Sequence, residues 1–154
     1  MKLTEAKLKQ MILESIADTY YYDKLKTLMT NTEEDFRMAE SLYEMVKDTL
    51  KPQERTTLGT YFGTIDLARE LFTLKLQHNE AKDKFDQIEI KLIQGAPIDA
   101  EADRAYSAFV RSSNAHYKKK KEFDQRMSTM LKHGDREIYN VVNSMTKKIL
   151  RGQL

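Results

Sequence analysis

Two histidines stand where their spacing could support chemistry, one in each of two long helical patterns. His78 belongs to a pattern over residues 57–94 and His116 to one over residues 99–132, with Ser113 one turn away. Two imidazoles could begin a metal site, but zinc normally needs further ligands, and the nearest carboxylates, Glu80 and Asp83, lie off the apolar stripe. We therefore interpret His78, Ser113 and His116 as a polar layer that fixes helix register. Because two close imidazoles resist joint protonation, this layer would respond to acid pH. We expect no metal and no cofactor.

Basic residues are the second chemical feature. The chain carries a net charge of +2, but residues 111–154 hold 11 Lys and Arg against 4 Asp and Glu, which leaves −5 for residues 1–110. Lys118–Lys121 occupy four consecutive positions and so reach every side of a helix. One interpretation is a solvated basic surface, complementary to an acidic one; the other is an anion or nucleic-acid contact. The residues of that contact would be Arg111, Lys118, Lys119, Lys120, Lys121, Arg126, Lys147 and Lys148.

Several functional classes find no support in the sequence. There is no nucleophile–base pattern, no glycine-rich phosphate loop and no pair of carboxylates at catalytic spacing, so we expect no enzyme. The chain has no cysteine, which excludes disulfides and thiolate metal sites and is typical of a reducing compartment. No apolar run approaches the roughly 20 residues that span a bilayer, so we expect no membrane partner, and no small-molecule site is evident.

The fold class follows from apolar spacing. Helix-forming residues dominate 154 residues that include only 5 Gly and 2 Pro, which predicts an all-α protein. Steps of three and four define one apolar seam on each long pattern. The first seam is Leu67, Leu71, Leu74, His78, Ala81, Phe85, Ile88 and Leu92; the second is Ala102, Tyr106, Phe109, Ser113, His116, Lys120, Phe123, Met127 and Met130.

The turn between the two patterns sets their relation. Residues 94–97 read Gln-Gly-Ala-Pro, where Gly ends a helix and Pro cannot continue one. A short turn predicts an antiparallel, coiled-coil-like hairpin over residues 57–132. Facing residues then have a constant sum of residue numbers, which pairs Phe85 with Phe109, His78 with His116 and Leu74 with Lys120. Since a charge inside a seam is costly, the stem of Lys120 should carry its ammonium group out to water.

Three shorter helices are predicted to pack on this hairpin, giving a single domain over residues 1–154. They cover residues 1–30, an amphipathic segment with a break allowed within 17–23, then residues 33–50 and 136–151. Thr32 and Asp135 are predicted to cap the last two. Gly59 and Gly63 either delay the first long helix or permit close packing against the helix of Phe36. Apolar residues off the seam predict a second face for other helices or a partner: Phe62, Ile65, Phe72, Leu76, Ile90 and Ile93.

The N-terminus carries a resemblance to a known group. It reads MKLTEAKLKQMILE, and this order of Met-Lys-Leu-Thr, Leu-Lys-Gln, Ile and Glu resembles the N-terminal segment of many proteins of marine T-even-like tailed bacteriophages. In that group, such segments can direct a protein into the prohead, and a protease cuts after Glu in a Leu/Ile-x-Glu pattern. The resemblance therefore implies a processing site between Glu14 and Ser15.

Together these patterns predict a non-enzymatic helical interaction protein, and the resemblance implies that it is phage-encoded and a virion or assembly component. It would lie in the host cytoplasm or the virion, and it would bind a protein partner or itself as a homo-oligomer. The alternatives are a nucleic-acid-binding accessory protein that uses the basic C-terminal third, and a small regulator that binds a host protein.

Overall fold

Every regular element in the described part of the chain is helical. The computed structural model describes residues 4–6 and 18–153, and it contains no strand within those ranges. The helices are α1 (Asp18–Asn31), α2 (Glu33–Val46), α3 (Pro52–Ile93), α4 (Ala100–His133) and α5 (Arg136–Leu150), and a short 3₁₀ turn, Lys47–Thr49, follows α2. The all-α prediction is confirmed for this part of the protein.

Side-chain caps explain where several helices begin. Thr32 Oγ1 accepts a hydrogen bond from the Asp35 amide at 3.0 Å, and Asp135 accepts one from the Ile138 amide at 3.2 Å. Asp99 does the same for α4, at 3.0 Å from the Ala102 amide. Each cap satisfies an amide that has no partner within its own helix. The predicted caps at Thr32 and Asp135 are confirmed.

The first long helix begins earlier than the sequence indicated. We predicted a start near Thr57, but α3 begins at Pro52. Proline suits the first helical turn because its missing amide would have had no helical partner there. The Glu54 carboxylate also accepts the Lys51 amide at 3.0 Å, which completes the start of the helix.

The two glycines lie inside α3 because they allow close contacts. A Cβ on Gly59 would stand 3.2 Å from the Tyr43 hydroxyl of α2, and one on Gly63 would stand 3.0 Å from the Arg126 guanidinium of α4. The second alternative in the sequence, close packing, is therefore the correct one at Gly59. Each glycine inside the helix destabilises it by about 1 kcal/mol relative to alanine, because glycine loses more conformational freedom on folding.

The turn after α3 is built as predicted. Gly95 has φ of +94°, a conformation that side chains disfavour. Its amide donates to the Leu92 carbonyl at 3.1 Å, and the Ala96 amide donates to the Lys91 carbonyl at 3.0 Å. These bonds satisfy the last carbonyls of α3 before Pro97 prevents further helix.

The two long helices pack closely against each other. Thr64 Oγ1 lies 3.6 Å from Met130 Sδ, the rings of His78 and His116 are 6.1 Å apart, and those of Phe85 and Phe109 are 5.2 Å apart. As the residue number rises along α3, that of its partner falls along α4. The two ring pairs are the ones that the sequence register places together.

The core surrounds only the first half of α3. There Leu58, Ile65 and Ala68 are fully buried. Helices α1, α2 and α5 supply the surrounding side chains, which are Leu25, Met29, Phe36, Ala39, Val46, Ile138, Val142, Met145 and Ile149. The remaining stretch, residues 73–120, is called the distal segment here. It contains one buried residue, Ala102.

Candidate interaction surfaces

The histidine layer is present, with a different serine from the one predicted. His78 Nδ1 lies 3.1 Å from Ser112 Oγ, and the His78 ring also stacks on Phe109 at 5.4 Å. The Ser112 hydroxyl donates to the Phe109 carbonyl at 2.9 Å, so its oxygen can accept a hydrogen bond from the Nδ1–H of His78. Ser113 was predicted as a member of this layer; the hydroxyl that contacts His78 is that of Ser112, which lies beside the seam rather than on it.

The environment of His116 favours its neutral form. Partial burial lowers the pKa of His116 below its usual value, and the nearby charges of His78, Lys120 and Lys75 lower it further. Within residues 4–6 and 18–153, no three His, Cys, Asp or Glu side chains gather as a metal site would require. What the structure shows of this layer is ring contact between α3 and α4, from His78 to both His116 and Phe109.

Lys119 and Arg126, two of the predicted anion contacts, are engaged along the long helices. Lys119 Nζ lies 3.1 Å from Glu70 of α3 and 3.7 Å from Glu122, and the hydrogen bond to Glu70 raises the pKa of Lys119. Arg126 lies 3.9 Å from Glu122. These cations already have acidic neighbours, which link α4 to α3 or neutralise charge within α4.

Lys148 is engaged at the other end of the molecule. Its Nζ lies 2.7 Å from Glu33 of α2, and Ser144 donates to the same carboxylate oxygen at 3.1 Å. The hydrogen bond from Lys148 lowers the pKa of Glu33, against a smaller opposing effect of burial. Lys148 thus helps attach α5 to α2, and the structure does not join it to the lysines of α4.

Exposed basic residues remain on α4, and an aromatic ring accompanies them. Arg111, Lys118, Lys120 and Lys121 are exposed and form no ion pair with any described residue, and Lys147 of α5 is in the same state. Lys120 reaches solvent from its seam position, as predicted. Tyr117, which is 69% exposed, lies among the three free lysines. Sequence reasoning missed this ring; the signal was its position directly before the lysine run and just off the seam.

The off-seam apolar residues divide into two groups. Phe62 and Ile65 are covered by the shorter helices, and Phe72 is partly buried. Beyond Phe72 the apolar side chains on this side of α3 are exposed to solvent: Leu76 is 52% exposed, Ile90 56% and Ile93 79%. Ile98 in the turn, which the sequence analysis did not single out, is 77% exposed. The second face is therefore covered at the core and open along the distal segment.

Three further points concern the processing site, the membrane and the comparisons with known proteins. Glu14 and Ser15, the candidate processing site, lie outside the described residues. In the part of the chain that the structure describes, no helix has the length and apolar character needed to cross a bilayer. Comparisons with protein-family models, with curated proteins and with solved structures found no match to this chain.

Proposed function

We propose that this chain is a non-enzymatic helical interaction protein whose distal segment binds another protein chain. In this proposal α3 and α4 form an antiparallel, coiled-coil-like hairpin, and the shorter helices pack around its base within a single domain. The base provides stability, and the distal segment provides the contact surface. Such a division suits a structural or assembly component.

One observation carries the proposal. Apolar residues recur on the outward side of α3 at both ends of the helix, but the shorter helices cover them only as far as Phe72. Fully burying an Ile or Leu side chain contributes about 1.5–3 kcal/mol, so leaving Leu76, Ile90 and Ile93 exposed forgoes several kcal/mol that a partner could recover. Single exposed apolar residues are common, but these three lie on the side of α3 that the shorter helices cover at the base, which supports a partner there.

Site-specific photo-crosslinking tests the proposal in cells that make the protein. A photoreactive side chain at Leu76 or Ile90 should form covalent adducts with a protein that mass spectrometry then identifies. The matched control is the same group at Glu34, an exposed residue of α2. Adducts at the distal positions but not at Glu34 are expected. Equal labelling at all three positions, or no protein adduct at Leu76 and Ile90, would contradict the proposal. A host protein as the adduct would favour the regulator.

The origin and location belong to the same proposal. The resemblance of the N-terminal segment supports a phage source, with the protein in the host cytoplasm or in the virion. The genes on either side of this one provide the test. Capsid and tail genes as neighbours would agree with a virion or assembly component, whereas replication or recombination genes would favour the nucleic-acid reading.

A second candidate function rests on Tyr117 and its lysines. Single-strand binders combine cations that follow the phosphates with aromatic rings on which bases stack. Lys118 and Lys121 follow Tyr117 by one residue and by one helical turn, and both are free to contact phosphates. If this surface binds single-stranded DNA or RNA, the double variant Lys118→Gln, Lys121→Gln should bind more weakly. The slope of log K against log salt concentration should also become shallower by about 0.7 for each lost phosphate contact. The control is Arg37→Gln on α2.

A fluorescence titration with single- and double-stranded DNA at two salt concentrations decides this second candidate. Binding at low salt that weakens at high salt and depends on Lys118 and Lys121 would support it. Absence of binding at low salt would eliminate it.

A further inference from the structure

The distal segment has two outward surfaces of opposite character. A residue midway between two seam residues lies about 200° around the helix from each, and so faces away from the other long helix. On α3 these midpoint residues are Leu76, Asp83 and Ile90; on α4 they are Arg104, Arg111 and Lys118. All six are exposed. We call the first set with its exposed neighbours the α3 outer face, and the second the α4 outer face.

The α3 outer face is acidic and apolar. One turn from Asp83 on this face lie Glu80 and Asp86, while the four lysines of residues 73–94 stand next to seam residues, at the sides of the helix: Lys75, Lys82, Lys84 and Lys91. Glu80 is partly neutralised by Lys84 at its side, at 3.3 Å. Asp83 and Asp86 form no ion pair with any described residue. This face therefore offers carboxylates between apolar side chains.

The α4 outer face is basic. Arg104, Arg111 and Lys118 repeat every seven residues, and Lys121 lies one turn beyond Lys118. Glu122 is the one carboxylate at an outward position between residues 103 and 132, and it already contacts Lys119 and Arg126. The cations of this face therefore lack acidic partners within the described part of the molecule.

We propose that the occupant of the α3 outer face is the α4 outer face of a second copy of this chain. The inference rests on the proposed function and names its partner. The two faces lie in the same segment, span similar lengths and carry opposite charge, which favours pairing between copies and opposes pairing of like faces. Because α2 covers the outward side of α3 at Phe62, where the Phe36 and Phe62 rings are 5.3 Å apart, copies meet through their distal segments.

The two faces in contact are different surfaces, so the contact is heterologous. Such a contact leaves one free face of each kind on every assembled unit, and it continues until a ring closes or a filament forms. Assembly should therefore pass beyond dimers, and it should weaken as salt screens the charges.

Sedimentation equilibrium with charge-swapped variants tests the proposal. The first variant carries Arg104→Glu, Arg111→Glu and Lys118→Glu, which leaves Lys121 as the one cation among the four named positions of its α4 outer face and so makes both outer faces acidic. The second carries Asp83→Lys and Asp86→Lys, which makes both faces basic. All five residues are exposed, so the fold should persist, and circular dichroism verifies this. Arg37→Glu on α2 is the control.

The wild type, each variant alone and an equal mixture of the two variants are expected to differ in association. At low salt, the wild type and the control should show an average mass that rises with concentration beyond about twice the monomer value of 18.0 kDa. Each variant alone should associate at least about tenfold more weakly, because like charges then meet. An equal mixture of the two variants should recover association, since every contact between unlike variants pairs opposite charges.

Other outcomes overturn the inference. A wild type that stays monomeric at high concentration and low salt would do so, and so would variants that associate as the wild type does or a mixture that fails to recover. If the wild type is monomeric but binds single-stranded DNA through Arg111 and Lys118, the basic face belongs to a nucleic acid instead. A monomeric protein that crosslinks from Ile90 to a different protein would overturn self-association while leaving the proposed function standing.

Discussion

Truncating one core residue and one distal residue should separate the stability of the fold from its contact surface. Phe36 is fully buried on α2, and its ring meets that of Phe62 edge-on at 5.3 Å. Phe36→Ala removes this contact and leaves a cavity at the base, which costs about 3–5 kcal/mol. Ile90 is 56% exposed. Ile90→Ala removes little buried surface and introduces a better helix former, so it should change stability by less than about 0.5 kcal/mol.

The corresponding thermal shifts are well separated. For a chain of this size, 1 kcal/mol shifts Tm by roughly 2–4 °C, so Phe36→Ala should lower Tm by about 6–20 °C. Ile90→Ala should stay within about 2 °C of the wild type by the same scaling. Measured values vary with how far the site collapses, but the two ranges do not meet.

Urea unfolding followed by circular dichroism provides the assay, at a protein concentration low enough to avoid association. Crosslinking from a photoreactive group at Leu76 is then measured on the same two variants. Ile90→Ala should lose crosslinking yet keep its unfolding midpoint. The reasoning is refuted if Ile90→Ala destabilises the monomer by more than about 1 kcal/mol, or if Phe36→Ala costs less than that.

Three smaller perturbations test individual contacts. Because the pKa of His116 is lowered on folding, the unfolded chain binds more protons below about pH 6.5, and stability should fall from pH 7.5 to pH 5. His116→Gln should reduce that loss of stability. A wild-type Tm that is equal at both pH values would rule out the pH-sensitive layer. Asp135→Ala should cost about 1 kcal/mol in urea unfolding and Asp135→Asn much less, since asparagine also caps; equal losses would contradict the cap. The pKa of Glu33 is lowered, so its contribution is present above about pH 4.5 and is lost as pH falls through the folded pKa. Glu33→Gln should flatten acid unfolding over that range by under about 1 kcal/mol, and an unchanged acid titration would exclude the role of Lys148.

Periodicity predicted the long helices well because the same spacing governs both seams. The ring pairs His78–His116 and Phe85–Phe109 could be placed by requiring the two seams to share one register. The shared register follows from local spacing and from a short turn, both of which are visible in the sequence. The caps at Thr32 and Asp135 were equally accessible, since a capping side chain acts within three residues of itself.

Features that depend on neighbouring helices could not be predicted in the same way. The early start at Pro52 was missed because Gly59 and Gly63 suggested a break, and only Tyr43 and Arg126 explain why glycine is tolerated there. Periodicity also does not reveal which part of an apolar face is covered. Ile65 and Ile90 look alike in sequence, yet one is fully buried and the other exposed, because the shorter helices do not extend past Phe72.

The candidate site shows the same limit. The basic residues could be found from the sequence, but their pairing could not, since Glu33 and Glu70 come from distant parts of the chain. The contact between His78 and Ser112 was not predicted, because the apolar spacing identifies only residues on the seam and Ser112 lies beside it. Tyr117 was overlooked for a related reason: its exposure follows from its position beside the seam rather than from its residue type.

Amide hydrogen exchange along α3 tests the division of the molecule most directly. Peptides from residues 58–71 and from residues 76–93, compared by mass spectrometry in dilute protein, belong to one continuous helix but differ in the packing around them. The account predicts that residues 58–71 exchange only through global unfolding and that residues 76–93 exchange faster through local opening. Equal protection along the whole helix, or stronger protection of residues 76–93, would contradict it.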